Sequence, residues 1–124
     1  MGKKKILVID DETDFTKLLK LNLELTGEYE VRTENNGLLG FAAAKEFKPD
    51  VILLDIAIPG MDGYEIASAI RDNSALRSIS IVFMTGKELD SKGIQERVSK
   101  LGAYGYIEKP CDFQDILANI KEAV

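Results

Sequence analysis

Four short apolar runs in this chain each end on a polar residue capable of chemistry. Lys5-Ile6-Leu7-Val8-Ile9 ends on Asp10-Asp11, and Val51-Ile52-Leu53-Leu54 ends on Asp55. Ile79-Ser80-Ile81-Val82-Phe83-Met84 ends on Thr85, and Tyr104-Gly105-Tyr106-Ile107-Glu108 ends on Lys109-Pro110. Short β-rich runs between helical segments read as strands of a parallel sheet buried on both faces. Ligands of open parallel sheets bind outside the carboxyl ends of the strands. The pattern therefore gathers three carboxylates, one hydroxyl and one ammonium at one end of one sheet. That set suits a divalent cation and a phosphoryl group.

Strand and helix patterns alternate five times. Strands are predicted over residues 4–9, 29–33, 51–54, 81–84 and 104–107. The first helix is predicted over 13–26, with Phe15, Leu18, Leu19 and Leu23 on one stripe and Gly27 stopping it. The second runs over 37–47 and is closed by Pro49. The third starts near Gly63 and ends around Asp72-Asn73. The fourth spans 90–101, with Gly102 as its C-cap. The last carries Phe113, Ile116, Leu117, Ile120 and Val124 at helical spacing. In the second strand Tyr29, Val31 and Thr33 alternate with Glu30 and Arg32, the pattern of a half-exposed edge strand.

Repeated βα units imply an α/β fold, a doubly wound five-stranded parallel sheet with five helices and right-handed crossovers. Such flavodoxin-like sheets commonly take the order 2-1-3-4-5. Strands 1 and 3 then lie side by side at the switch point, and Asp10, Asp11 and Asp55 become neighbours.

The 124 residues fit one domain over 1–124, with an ordinary globular composition. A net charge of −5 disfavours nonspecific nucleic-acid binding, and Lys3-Lys4-Lys5 reads as the solvated start of a strand. No apolar stretch approaches membrane-span length, and the first apolar run is too short for a secretory signal. Cys111 is the one cysteine, so no intrachain disulfide forms, which fits a reducing cytoplasm. The absence of histidine excludes His-dependent triads, zinc–histidine sites and phosphohistidine chemistry within the chain.

Carboxylates packed closely repel, so either one keeps a proton or a cation sits among them. Magnesium prefers oxygen ligands and keeps several waters. Two carboxylates, a backbone carbonyl from Ile56 or Ala57, and waters would satisfy it. With that charge reduced by the metal and Lys109, an Asp55 oxygen is a candidate nucleophile toward phosphorus, and Thr85 a donor to the phosphoryl group. Each residue alone has a plainer reading: Asp10 or Asp11 as a cap of the first helix, Asp55 as a loop acid, Thr85 as a turn residue, Lys109 as a solvated lysine. Their joint placement at successive strand ends favours the site.

Ile9-Asp10-Asp11-Glu12, the run from Leu54-Asp55 through Ile56-Ala57-Ile58-Pro59-Gly60-Met61-Asp62-Gly63, Met84-Thr85-Gly86, and Gly102-Ala103 through Tyr106-Ile107-Glu108-Lys109-Pro110 carry a resemblance over essentially the whole chain. The chain resembles a response-regulator receiver domain of two-component signalling, chemotaxis-regulator-like. The resemblance implies that Asp55 accepts a phosphoryl group from the phosphohistidine of a sensor histidine kinase, or from a phosphotransfer protein. It implies Mg2+, or Mn2+ in its place, held directly by Asp11, Asp55 and the Ala57 carbonyl and through water by Asp10. Thr85 would bind the phosphoryl oxygen, Lys109 would pair with the group, and Thr85 and Tyr106 would form the switch. The Lys109-Pro110 bond would be cis.

The resemblance further implies a cytoplasmic switch that catalyses only its own phosphorylation and dephosphorylation. Its output would act through the face formed by helix 4, strand 5 and helix 5, on a separate partner or an output domain, with no direct nucleic-acid or membrane binding. The chain would be a monomer or a phosphorylation-dependent dimer; ending after helix 5 fits a complete regulator and an excised receiver alike. Ala57 and Lys87 flank the acceptor, and an alanine cannot orient an attacking water, so self-dephosphorylation is expected to be slow. Cys111 stands where the transcription-factor branch often carries phenylalanine. Three alternatives fit less well. A haloacid-dehalogenase-type phosphatase needs Asp-x-Asp after strand 1, and a flavodoxin-like carrier needs a Ser/Thr/Gly-rich loop there. A receiver fold that no longer accepts phosphate would serve as an interaction module.

Overall fold

The structure, a computed structural model, describes residues 2–86 and 91–124, with Ser91 as backbone only. In chain order the elements are β1 (Lys4–Ile9), α1 (Thr13–Leu25), β2 (Tyr29–Glu34), α2 (Gly37–Phe47) and β3 (Val51–Asp55). They continue as α3 (Gly63–Asp72), β4 (Ser80–Thr85), α4 (Ser91–Lys100), β5 (Gly105–Glu108) and α5 (Phe113–Ala123). All strand pairs are parallel and the order is β2-β1-β3-β4-β5. Asp90, the predicted start of α4, lies outside the described residues, as does Lys87.

Side-chain alternation along the strands divides the core into two layers. Leu7, Ile9, Ile52, Leu54, Ile81 and Phe83 pack against the layer formed by α2, α3 and α4. Ile6, Val8, Val51, Leu53, Val82, Met84 and Ile107 face α1 and α5 through Leu19, Leu23, Ile116 and Ile120. The same period runs to the strand ends and one residue beyond them. Asp10, Asp55 and Lys109 continue the α1/α5 parity, whereas Thr85 and Tyr106 continue the other.

Several predicted positions shift. On α1, Thr16, Leu19 and Leu23 are buried, while Leu18 is exposed together with Leu21 and Leu25. One residue is a rotation of about 100° at 3.6 residues per turn, which carries Leu18 off the narrow buried stripe. Tyr104 precedes β5 and is exposed, its hydroxyl bonded to Glu122 at 2.6 Å. Val124 is likewise exposed, because it caps α5 where the sheet no longer covers the helix. The first helix stops at Gly27, whose φ of +79° favours a residue without a side chain.

Two close fits fix the loops around the strand ends. Gly37 donates its N–H to the Pro59 carbonyl at 3.0 Å, and a Cβ there would collide with the backbone of Met61. Asn36 caps α2, its Oδ1 accepting from the Leu38 and Leu39 amides. At the far side, the Arg71 guanidinium binds the carbonyls of Arg77, Ile79, Leu101 and Gly102 at 2.7–2.9 Å. It ties the end of α4 to α3 and to the approach of β4. Gly37→Ala is expected to cost about 2–3 kcal/mol, because both contacting groups are backbone and cannot swing away. Urea denaturation of the variant measures this.

Candidate functional site

Register brings the acidic residues together. Ile9 pairs with Leu54, so the next residues on each strand, Asp10 and Asp55, lie side by side. Oxygens of Asp10, Asp11 and Asp55 all fall within 4.8 Å of one another. Asp10 is fully buried and Asp55 nearly so, whereas Asp11 is exposed at the mouth. Lys109 enters from the end of β5. Its Nζ lies 2.7 Å from Asp10 Oδ2, 2.6 Å from Glu12 Oε1 and 3.8 Å from Asp55 Oδ2, and 4.8 Å from the Phe15 ring centroid. The Lys109-Pro110 bond is cis, and the Lys109 amide donates to the Thr85 carbonyl.

Backbone groups orient the carboxylates. Asp55 Oδ1 accepts from the Ala57 amide at 3.1 Å, which leaves Oδ2 on the Lys109 side. Asp10 Oδ1 accepts from the Glu12 amide at 2.9 Å. Glu12 holds the N-cap position of α1 without a side-chain cap, so neither Asp10 nor Asp11 caps that helix. In the loop after β3 the Ile56 carbonyl is taken by the Gly63 amide. Of the two carbonyls read as possible ligands, Ala57 is the one without a backbone partner among the described residues.

Charge dominates the site. Burial pushes the Asp55 carboxyl up to about 6; the Asp10 charge adds to this, while Lys109 and the Ala57 amide oppose it. Burial acts to lower Lys109, but hydrogen bonds to Asp10 and Glu12 and the charges of Asp10 and Asp55 outweigh it, so the ammonium is raised. The three carboxylates form a hard-oxygen donor set with, among the described residues, the Lys109 ammonium as counterion, and that chemistry fits a divalent cation such as magnesium. Thr85 is buried at the end of β4, and Tyr106 is half-buried against the α2–α4 layer. They therefore stand on the opposite side of the sheet from Asp10, Asp55 and Lys109. Cys111 is partly buried beside α1 and α5; burial and then Asp115 raise its thiol, so it is not an activated nucleophile.

Residues 6–121 match the family model of the response regulator receiver domain. The chain belongs to that family. As a receiver domain of two-component response regulators, it is similar to the polar-differentiation response regulator DivK of Brucella anthropi. That relative is 32% identical over 118 residues, 95% of this chain and 94% of DivK. It is also similar to the DNA-binding dual master transcriptional regulator RpaA of Synechocystis sp., 32% identical over 94% of this chain and 47% of RpaA. The receiver thus spans about half the length of some curated relatives and nearly all of others. Among solved structures, the chemotaxis protein CheY4 of Vibrio cholerae superposes with a TM-score of 0.89 at 26% identity, covering 99% of this chain and 100% of that one. The flavodoxin-like order read from the sequence is the one observed.

Local sequence pattern assigns Glu12 no partner and Asn35 no role. Glu12 shares the charge of Lys109, and Asn35 donates to the Asp10 carbonyl. Glu12 was visible as the third acid of the first motif, whereas long-range contacts such as that of Asn35 leave no local periodicity. No helix among the described residues is long and apolar enough to cross a membrane.

The raised Asp55 carboxyl makes the site a stability liability. The folded protein holds that proton up to about pH 6, while an unfolded aspartate releases it near pH 4. The associated stability is therefore full below about pH 4 and is lost as pH rises through 6. Without divalent cations, Asp55→Asn is expected to match the native protein at pH 4 and exceed it by on the order of 2 kcal/mol at pH 7.5. Urea midpoints at the two pH values decide this.

Proposed function

We propose that this receiver accepts a phosphoryl group on Asp55 in a magnesium-dependent reaction and that the modification shifts the α4, β5 and α5 face toward an output partner. The observation that carries this reading is the meeting of Asp10, Asp11 and Asp55 within 4.8 Å at the strand ends, with Lys109 beside Asp55. Asp11, Asp55 and the Ala57 carbonyl would hold the cation, with Asp10 acting through water; Mn2+ would serve in place of Mg2+. When bound, the cation offsets the carboxylate charge and draws electron density from the phosphoryl oxygens.

The chain's own residues do the rest. The Ala57 amide holds Asp55 Oδ1, leaving Oδ2 to attack. The new oxygen–phosphorus bond forms as the phosphorus–nitrogen bond to the donor imidazole breaks, and the leaving nitrogen keeps the electron pair. Lys109 then has a new anionic partner and exchanges Glu12, which is exposed, for the phosphoryl oxygens. Thr85 donates its hydroxyl from β4, and Tyr106 on the same side of the sheet follows it inward. Arg71 pins the end of α4, so rearrangement is concentrated toward that helix's start.

The donor would be a sensor histidine kinase or a phosphotransfer protein of the cytoplasm. The output would be read by a partner that favours one of the two packings, with the receiver as a monomer or a phosphorylation-dependent dimer. The relatives named above include a near-full-length match and half-length matches, so both a single-domain regulator and a receiver with an output domain have precedents. Incubation with acetyl phosphate, read by intact mass, is expected to give one phosphate adduct with magnesium. Without magnesium, or in Asp55→Asn, no adduct is expected. An adduct that persists in Asp55→Asn contradicts the assignment of the acceptor.

A further inference from the structure

Asp10 is fully buried, and each of its polar atoms has a partner. Its amide donates to the Glu34 carbonyl at 3.1 Å, Oδ1 accepts from the Glu12 amide and Oδ2 from Lys109. The remaining atom, the backbone carbonyl, accepts from the side-chain amide of Asn35 at 2.6 Å. Asn35 is the first residue beyond β2, twenty-five positions away in sequence. Its Nδ2 also lies 3.2 Å from Thr16 Oγ1 on α1, and the Thr16 hydroxyl donates to the Thr13 carbonyl. Asn35 therefore spans the gap between the end of β1 and the first turns of α1.

The peptide group that Asn35 grips is the one that follows the Asp10 side chain. Glu34 and Asn35 hold this residue from the β2 side, while Glu12 and Lys109 hold its carboxylate from the other. The next two residues, Asn36 and Gly37, abut the loop that follows Asp55, through Gly60 and through the Pro59 and Met61 backbones. One three-residue corner thus braces both halves of the acidic site. Groups that orient ligands from behind typically change metal affinity when removed, even though they never touch the ion.

We infer that Asn35 is a positioning residue for the divalent-cation site: its side-chain amide fixes the Asp10 carbonyl and so aims the Asp10 carboxylate into the cluster. This rests on the proposed reading of the cluster as a cation site. Asn35→Ala removes the donor, and Asn35→Leu removes it while filling most of its space against a substitute water. Thr16→Val is the control, because it deletes the other partner of Asn35 and leaves the bond to Asp10.

The experiment is calorimetric titration of each purified full chain with Mg2+, alongside urea denaturation in the absence of metal. All three variants are expected to lose some stability. Both Asn35 variants are expected to bind Mg2+ about tenfold more weakly, and Thr16→Val to stay within about twofold of the native protein. Asn35 variants that bind Mg2+ like the native chain overturn the inference while leaving the cation site standing. A native chain that binds no Mg2+ overturns the reading of the site itself. Should the Asn35 variants not fold, the native protein still decides. The side-chain amide resonance of Asn35 is expected to shift on Mg2+ saturation, with slow exchange of its bonded proton. An amide that exchanges freely and ignores Mg2+ overturns the inference.

Discussion

The mutual repulsion of three carboxylates at the strand ends is the constraint on which the rest of this structure depends. Asp10 and Asp55 are buried and adjacent, and Asp11 adds a third charge at the mouth. Burial alone would neutralise such a group by protonation, and Asp55 moves partway in that direction. Lys109 offsets the cluster from within, with 14% of its side chain exposed and three carboxylates in reach. Among the described residues the balance is incomplete, since one ammonium is set against the charges of Asp10, Asp11, Glu12 and Asp55. An arrangement left short of positive charge at one point is suited to a divalent cation.

The fold supplies the rigidity this requires. Strands buried on both faces cannot slide without exposing one apolar layer, because a shift of one residue exchanges the two sets of side chains. The register Ile9–Leu54 is therefore locked by the core, and Asp10 and Asp55 are held together although each ionised form opposes the other. Such strain is tolerated because the surrounding packing determines it many times over. Parity separates the chemistry from its consequence. The acids and Lys109 lie on the α1/α5 side, and Thr85 with Tyr106 on the side of α4. A group bonded at the carboxyl end of the central strand can draw on both, which is how a local change of charge can bias the packing of a helix across the sheet.

Much of this was legible in the sequence. The four apolar runs and their polar endings mark four strands and the acidic cluster, because burial on both faces leaves a continuous hydrophobic signature; β2 shows instead by the alternation of Tyr29, Val31 and Thr33, as an edge strand does. Positions that only tertiary packing decides are less legible. Leu18 belongs to the same amphipathic pattern as Leu19, yet the narrow contact between α1 and the sheet leaves it exposed. Tyr104 looks like a strand residue and lies before β5, its hydroxyl bonded to Glu122 on α5. The contact of Lys109 with Glu12 and the grip of Asn35 on Asp10 join residues 97 and 25 positions apart, and no local rule encodes such pairs.

The most direct test of the charge imbalance is the titration of the Asp55 carboxyl carbon by NMR, without divalent cations and then in excess Mg2+. Without cations the midpoint is expected at about pH 6, and Mg2+ is expected to displace it strongly downward. A midpoint near the ordinary aspartate value of about 4, unmoved by Mg2+, would contradict the account, because the cluster would then be neither strained nor a cation site.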